Sequence, residues 1–233
     1  MPPKPNIVTT LDKGMVTMVH VISAYNAHLY SDVLEDAYRL RHKVFVDERK
    51  WMALEKPDKR EVDQFDTPSA LHFVVLRNKR VAGYCRLLPT IRPHLLDSVY
   101  PWLCERETIP TGPDIFEWTR YCVAREWRYG SAVSDVGSEL IVGVFEYCLE
   151  NGINVLTLQA DPMWMTRFHE LGCPVRPLGF PTEIDNENVV AFSLAVSENS
   201  LKKACEFRGC RPGVLEDRMR ELPEEFRRPT LEM

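Results

Sequence analysis

Several features that would place the protein at a membrane or on nucleic acid are absent from the sequence. No apolar run is long enough to span a bilayer, and the first residues, MPPKPNIVTTLDKG, lack the apolar core of a secretory signal. The formal net charge of -5 provides no electrostatic footprint for nucleic acid. We therefore expect a cytoplasmic protein that acts on neither membranes nor nucleic acid.

The short motifs of nucleophilic and metal-dependent enzymes are also missing. There is no GxSxG elbow, no Walker-type phosphate loop and no HExxH, and the six histidines show no spacing typical of metal ligands. The seven cysteines form no CxxC pair, which predicts reduced thiols that pack as small hydrophobic groups. The sequence thus favours neither a metal site nor a covalent nucleophile.

What is present is the composition of one ordinary globular domain. The chain has 233 residues, of which 45% are hydrophobic and 27% charged. Residues 1–14 have no periodicity and predict a flexible leader, whereas residues 209–233 are charged, punctuated by proline and predict a tail. The domain is expected to occupy residues 15–208.

Hydrophobic periodicity predicts strands that alternate with helices along this domain. The expected strands are 16–22, 71–77, 80–88, 115–124, 153–158 and 189–196, and the expected helices are 26–46, 94–103, 136–150, 162–171 and 198–208. The helix at 136–150 has the apolar spacing of an amphipathic helix, and Asn78-Lys79 predicts a hairpin turn. This order predicts an α/β fold of three layers around a mixed, twisted sheet.

Charged residues lie inside two of these predicted strands. GYCRLLPT carries Arg86, and FEWTRYCV carries Glu117 and Arg120. Glu117 and Thr119 would share one face of the strand, and Arg120 would lie on the other face unless a bulge intervenes.

An acidic loop before these strands supplies possible partners, namely Glu61, Asp63 and Asp66. Because a buried charge is costly without a partner, we expect the arginines and carboxylates to form one network that lines a cleft. A solvated loop or a purely structural ion network would give the same pattern.

With these residues in place, the sequence resembles the LuxI-type acyl-homoserine lactone synthases. That family has an Arg, a Phe and a Trp at a fixed spacing, two Asp in a DQFD-like segment, an Arg in a GxxRLLPT-like strand and an ExxR pair. The corresponding residues here are Arg41, Phe45, Trp51, Asp63, Asp66, Arg86, Glu117 and Arg120. The types and order agree at every one of these positions.

The resemblance implies a fold like that of GNAT acetyltransferases, a sandwich whose mixed central sheet is splayed into a V-shaped cleft for a phosphopantetheine thioester. It also implies a reaction. The amine of S-adenosylmethionine attacks the acyl thioester, and the methionyl carboxylate then displaces methylthioadenosine to close a lactone. S-adenosylmethionine would be a substrate, and no cofactor is expected.

Roles for the matched residues follow from their chemistry. Aromatic faces attract a sulfonium or adenine, which suits Phe45 and Trp51. Carboxylates hold an ammonium or sulfonium, which suits Asp63 and Asp66.

The remaining matched residues are basic, with one exception. Arg41 and Arg120 are expected to hold the substrate carboxylate, and Arg86 to anchor the acidic loop that carries Glu61. Glu117 is the candidate general base, acting directly or through a water, with a pKa raised by its neighbours Phe116 and Trp118. The expected catalytic set is Glu117, Asp63 and Arg120.

Two further segments are assigned to the thioester. Arg125 and Arg128, in REWRYGSAVSDVG, are expected to bind its phosphate together with the amides of a helix N-terminus. The alternative is that this segment is a plain surface loop. The strand 153–160 and the helix 162–171, with Met163, Trp164, Met165 and Phe168, are expected to form the wall of the acyl pocket. The alternative for each of these residues is simple core packing.

The segment from His20 to Asp66 looks closest to the subgroup that takes branched or aryl acyl groups from coenzyme A. A net charge of -5 gives no sign of the basic docking surface that an acidic carrier protein would need. The carrier protein nevertheless remains an alternative donor. The product would be read by a separate receptor. Two rival functions remain at this point, an N-acyltransferase for another amine and a non-catalytic metabolite-binding relative.

Overall fold

The computed structural model describes residues 18–128 and 135–216, so the predicted leader and residues 217–233 of the predicted tail lie outside it. Within the described part, one mixed sheet has the strand order β1-β2-β3-β4-β5-β8-β6, and β7 pairs with β8. The strands are β1 Val19–Ile22, β2 Leu71–Arg77, β3 Arg80–Pro89, β4 Ile115–Val123, β5 Val155–Ala160, β6 Val175–Pro177, β7 Thr182–Ile184 and β8 Glu187–Ala195.

Helices connect these strands. They are α1 Ser31–Arg41, α2 Leu95–Ser98, α3 Asp135–Glu150, α4 Met163–Glu170 and α5 Glu198–Arg208. A π-helical segment, His42–Glu48, continues α1 directly. In the described part of the chain, every helix is too short or too polar to cross a membrane.

The sheet separates two apolar cores, as a three-layer fold requires. Along β2, Phe73 and Val75 pack in the core shared with α3 and α5, and Val74 packs in the core shared with α1. This alternation follows from the two-residue period of a strand buried on both faces. The predicted three-layer α/β architecture is confirmed.

The splay of the sheet lies between β4 and β5, its only parallel neighbours in the described chain. Their ladder pairs Ile115–Glu117 with Val155–Thr157, although both strands continue beyond it. The later residues of the two strands face a common cavity instead of each other. This opening is the V expected from the resemblance.

A β-bulge in β4 decides where Arg120 points. Arg86 pairs with Thr119 and Tyr84 pairs with Cys122, so two residues of β4 oppose the single residue Cys85. Arg120 takes a φ of 56°, in the left-handed region. The extra residue places Arg120 on the same face as Thr119, which is the exception that the sequence left open.

The helix α3 differs from the amphipathic helix that its spacing predicts. It is buried on all sides from Val136 to Cys148 because α5 packs against it opposite the sheet. A helix covered on both sides needs no polar face.

The other differences are local. The helix predicted at 94–103 ends at Ser98, and a short turn starts at Pro101, which has no backbone N–H to continue a helix. The strands β6 and β7 were not predicted, because each has three residues and gives little periodic signal.

Part of the predicted tail packs on the domain. Val214 and Leu215 are buried in the main core, and the Val19 N–H donates to the Val214 carbonyl at 2.7 Å. Glu146 of α3 accepts a hydrogen bond from the Val214 N–H at 3.0 Å. The segment 213–216 therefore covers β1, which would otherwise be an open edge strand.

Candidate active site

A cavity of about 440 Å³ opens where β4 and β5 separate. It is lined by Thr119 and Arg120, which face α1, and also by Trp118 and Tyr121, which face α3. A cavity that touches both faces of one strand passes through the sheet. Two substrates can therefore enter from opposite sides and meet in the middle.

The wall on the α1 side is aromatic. Phe45 and Trp51 stack with ring centroids 5.0 Å apart and an interplanar angle of 16°. Phe45 lies in the π-helical segment, and the Trp51 N–H donates to the Phe45 carbonyl at 2.9 Å. Both rings line the cavity, as predicted for residues that face a sulfonium or adenine.

Arg86 holds the acidic loop against the sheet. It donates to both oxygens of Asp63, at 2.7 and 2.8 Å, and to Asp66 at 2.6 Å. Its Nε donates to the Thr119 hydroxyl at 3.1 Å. The geometry agrees with the anchoring role expected of Arg86, since one fork fixes two carboxylates.

Arg41 lies behind this wall and not in it. Its side chain has no exposed surface, and it donates to Glu61 at 2.5 Å and to Asp66 at 2.7 Å. Asp66 and Glu61 are each only 1% exposed. The expectation that Arg41 and Asp66 touch substrate therefore needs correction, because both are buried among partners in the network and neither lines the cavity.

Arg120 and Asp63 are the members of the network that reach the cavity. Arg120 donates to Glu61 at 3.0 and 3.2 Å, and it lies 2.9 Å from Asp63. The three arginines and three carboxylates balance in charge. Within this near-neutral cluster, Asp63 and Arg120 lie side by side in the cavity wall.

The network keeps its carboxylates ionised. Burial raises the pKa of Asp66, but Arg86 and Arg41 outweigh burial and hold it well below its ordinary value. The pKa of Glu61 is likewise lowered, because Arg120 and Arg41 outweigh burial. The pKa of Asp63 is lowered because Arg86 and Arg120 outweigh burial. These groups stay negative at neutral pH.

Two residues of this layer escaped the sequence analysis. Tyr84 accepts a hydrogen bond from Arg41 at 3.3 Å, and its hydroxyl lies 2.7 Å from the His72 Nδ1. Burial lowers the pKa of His72 to about 3, so the ring stays neutral and its Nδ1 can accept a hydrogen bond from the Tyr84 hydroxyl. The pairing of His72 with Arg86 across the hairpin could have placed His72 beside the network.

Glu117 is fully buried at the start of α2. It accepts hydrogen bonds from the Leu95 N–H at 2.7 Å, the Leu96 N–H at 2.6 Å and the Gln159 amide at 2.7 Å. Burial raises its pKa above the ordinary value of 4.5, against the opposing effects of His94 and these hydrogen bonds. The direction agrees with the expectation for a general base.

The surroundings of Glu117 differ from those expected, because its described hydrogen bonds go to α2 and Gln159 and not to the arginines of the predicted network. Phe116 and Trp118 pack in the core on the other face of β4, because neighbouring strand residues alternate. The residues that separate Glu117 from the cavity are Leu95 and Gln159, which both line it. Gln159 was not predicted as a partner of Glu117, although it lies two residues after Thr157, which pairs with Glu117 in the ladder.

The segment predicted for the thioester phosphate is only partly described, since residues 129–134 lie outside the described ranges. Arg128 pairs with Glu48 at 2.5 Å and donates to the Val123 carbonyl at 2.6 Å. Arg125 is exposed. The structure does not bring either arginine into the lining of the cavity.

The predicted acyl wall is placed in two parts. Trp164 and Phe168 line the cavity on the α3 side, where Tyr121 contacts Trp164 with ring centroids 5.3 Å apart. Met165 packs against the main core and Met163 is exposed, and neither lines the cavity. Leu158, in the strand predicted for this wall, and Trp118, which was not predicted, complete it.

Comparison with known proteins gives this site a family. The chain is 40% identical over 184 residues to the isovaleryl-homoserine lactone synthase of Bradyrhizobium diazoefficiens, covering 79% of this chain and 82% of that one. Its fold matches a structure described as a CoA-dependent acyl-homoserine lactone synthase, BjaI, with SAM and isopentyl-CoA. That match has a TM-score of 0.79, 38% identity, and coverage of 85% of this chain and 92% of that one.

A more distant match concerns the fold alone. An acyl-CoA N-acyltransferase from Pseudomonas aeruginosa aligns with a TM-score of 0.53 at 15% identity, over 77% of this chain and 98% of that one. The GNAT-like fold is thereby confirmed. A sequence profile described as autoinducer synthase matches residues 26–204, and with it the chain belongs to the autoinducer synthase family, among relatives named acyl-homoserine-lactone synthases.

Proposed function

We propose that the protein transfers an acyl group from coenzyme A to the amine of S-adenosylmethionine and closes the product to an N-acyl-homoserine lactone. The observation that carries this proposal is the cavity that crosses the sheet. One end is aromatic and carries the paired charges of Asp63 and Arg120, and the other end is apolar. Such a cavity suits one cationic and one acyl-bearing substrate.

S-adenosylmethionine fits the end on the α1 side. The rings of Phe45 and Trp51 offer their faces to the sulfonium or adenine. Asp63 attracts the substrate ammonium, and Arg120, beside it, attracts the carboxylate. Adjacent opposite charges in the protein thus match the adjacent opposite charges of an amino acid.

Glu117 serves as the general base. Its carboxylate is held by two backbone amides and Gln159, behind the cavity lining, so it takes the amine proton through a water in the cavity. Its raised pKa brings the group nearer to the pH at which an amine is deprotonated. The amine can then attack.

The chemical steps balance without a covalent enzyme intermediate. The amine nitrogen forms a bond to the thioester carbon, the carbon–sulfur bond breaks, and the thiolate leaves and takes a proton. The methionyl carboxylate oxygen then attacks the carbon next to the sulfonium, and methylthioadenosine leaves. S-adenosylmethionine is consumed, so it is a substrate, and the protein mainly orients the two reactants.

Coenzyme A is the donor that the proposal favours. The relative is named for an isovaleryl product and the BjaI structure for isopentyl-CoA, and both names describe a short branched five-carbon group. The apolar end here has bulky walls, Trp118 and Phe168, whose ring centroids are 5.7 Å apart. A short branched or aryl acyl group suits such a space better than a long linear chain.

The test has two parts. Lactones are sought by mass spectrometry after the purified protein is incubated with S-adenosylmethionine and isovaleryl-coenzyme A. Initial rates are then compared over matched acyl-coenzyme A and acyl-carrier-protein substrates. We expect a lactone and a preference for coenzyme A, whereas a ten-fold preference for the carrier protein would overturn the donor assignment, and no lactone with any donor would overturn the function.

A further inference from the structure

An ion pair joins the two arms of the open sheet at the α1 side of the cavity. Arg49 directly follows the π-helical segment, and Glu187 is the first residue of β8, which pairs with β5. Arg49 donates to both oxygens of Glu187, from Nε at 3.1 Å and from Nη2 at 2.9 Å. Both residues line the cavity. The hairpin of β7 and β8 is therefore part of the wall that also contains Phe45 and Trp51.

Arg49 brings a positive charge to the ring that is proposed to face the sulfonium. Its guanidinium carbon lies 4.8 Å from the centroid of the Trp51 ring. A sulfonium bound at the same ring would lie close to this guanidinium, and like charges repel. Even in water, two unit charges about 4 Å apart repel enough to weaken binding about five-fold. A cationic substrate at Trp51 therefore needs a counter-charge nearby.

The hairpin supplies that counter-charge. Glu187 is paired with Arg49, and Asp185, in the turn of the same hairpin, also lines the cavity. Two carboxylates and one guanidinium leave this part of the wall with a net charge of -1. The neighbouring pair of Asp63 and Arg120 has no net charge.

These charges match those of S-adenosylmethionine one by one. Its amino-acid end carries one charge of each sign, which suits the neutral pair of Asp63 and Arg120. Its sulfonium adds one positive charge, which suits the excess negative charge of the hairpin. A thioether of the same shape lacks that positive charge and gains nothing from the excess.

We propose that Glu187 and Asp185 make the site select the sulfonium of S-adenosylmethionine over neutral thioethers. The inference rests on the proposed function and names the residues that set this selectivity. Selectivity is a difference between two affinities, so it can change while the overall affinity for adenosine compounds is kept. Methylthioadenosine, the product, is a neutral thioether, and the same charges would favour the substrate over the product in competition for the site.

The experiment compares two ligands that differ by one methyl group and its charge, S-adenosylmethionine and S-adenosylhomocysteine. Their Kd values are measured by calorimetry without an acyl donor, so that no reaction occurs. The variants are Glu187→Gln, Asp185→Asn and Arg49→Gln. Glu183→Gln is the matched control, because it removes an exposed carboxylate of the same hairpin that does not line the cavity. The quantity compared is the Kd for the thioether divided by the Kd for the sulfonium.

We expect this ratio to shift in opposite directions. Glu187→Gln and Asp185→Asn should each lower it about five-fold, mainly because the Kd for S-adenosylmethionine rises, and Arg49→Gln should raise it about five-fold. Glu183→Gln should leave it within about two-fold. The shifts should shrink at high salt, since the side chains of Arg49 and Glu187 are 42% and 30% exposed.

Two outcomes would overturn the inference. An equal rise of both Kd values in Glu187→Gln and in Arg49→Gln would show that the ion pair only holds the wall in place. An unchanged ratio in Glu187→Gln and Asp185→Asn would show that the sulfonium does not sense the hairpin. A loss of structure cannot imitate the expected result, because both Glu187→Gln and Arg49→Gln break the same ion pair and only a charge effect gives shifts of opposite sign.

The same measurement separates this inference from the proposed function. A protein that shows the expected ratios but makes no lactone with any donor would contradict only the function. A lactone synthase whose variants keep the wild-type ratio would contradict only the inference.

Discussion

Arg86 Nη1 lies 2.6 Å from Asp66 Oδ1, so a fully buried strand residue holds a carboxylate of the acidic loop. The same guanidinium holds Asp63, which the loop presents to the cavity. The position of a proposed substrate-binding group thus depends on a charge with no access to solvent. Stability and activity should fail together when that charge is removed.

Arg86→Ala is the first test of this dependence. The change leaves Asp63 and Asp66 without their main counter-charge, and breaking a buried ion pair costs roughly 3–5 kcal/mol. We expect a free energy of unfolding lowered by about that amount, and an inactive enzyme. Urea denaturation measures the first quantity, and Arg80→Ala, an exposed arginine at the start of β3, is the control. Equal stability of Arg86→Ala and wild type would contradict the network.

Acid should weaken the fold for the same reason. The pKa values of Asp63 and Asp66 are held below their ordinary 3.8, and that of Glu61 below 4.5. These groups therefore bind protons more weakly in the folded protein than in the unfolded chain. Their stabilisation is complete above the ordinary values and is lost as the pH falls through the lowered ones. Urea midpoints should drop below about pH 4.5. Asp66→Asn should make the urea midpoint less dependent on pH. A dependence as steep as that of the wild type would contradict the role given to Asp66.

Much of the fold follows from periodicity in the sequence. Strands buried on both faces and helices ended by Gly152, Gly172 or Gly209 each leave a local signal, and all three glycines take a positive φ. The burial of α3 leaves no such signal, because it depends on α5, which lies far along the chain.

The sequence predicted which residue types form the candidate site, but not how deeply each side chain is buried. Residue chemistry predicts one network of Arg86, Arg120 and the loop carboxylates, yet it leaves Arg41 out and cannot tell which members the cavity reaches. That depends on the π-helical continuation of α1 and on the bulge at Arg120, and neither has a sequence signature. The partner Tyr84 was hidden in an apolar strand whose alternation reads as core.

Glu117→Gln should lower kcat about 100-fold or more, the usual contribution of a general base. Binding of S-adenosylmethionine, measured by calorimetry, should change little, because Glu117 lies behind the cavity lining. The wild-type rate should also fall with acid at a pH above the ordinary 4.5 of a glutamate, since burial raises this pKa. Glu107→Gln, which alters a carboxylate in an exposed ion pair, is the control. Near-normal turnover of Glu117→Gln would remove it from the mechanism.

Trp51→Ala should weaken binding of S-adenosylmethionine. A cation over an aromatic face is worth about 0.5–2 kcal/mol, which corresponds to a rise in Kd of roughly 2- to 30-fold. Trp51→Phe keeps an aromatic face and should recover most of the affinity. Trp102→Ala removes an exposed tryptophan that does not line the cavity, and its Kd should equal that of the wild type. An unchanged Kd for Trp51→Ala would make this ring a packing residue only.

The choice of acyl group should respond to Phe168. This ring lies on the apolar side of the cavity, in contact with Trp118 and Phe192, so a smaller side chain lengthens the space for the acyl chain. We expect Phe168→Leu to raise kcat/KM for linear six- to eight-carbon chains relative to isovaleryl by roughly 10-fold, since a methylene in an apolar pocket is worth about 1–3 kcal/mol. Met165→Leu, a change on the same helix outside the cavity, should leave the ratio unchanged. The ratio is measured by competition between two acyl-coenzyme A substrates with mass-spectrometric detection of both lactones. Because competition reports kcat/KM directly, a partial loss of folded enzyme cannot imitate the shift, and an unaltered ratio would place the acyl chain elsewhere.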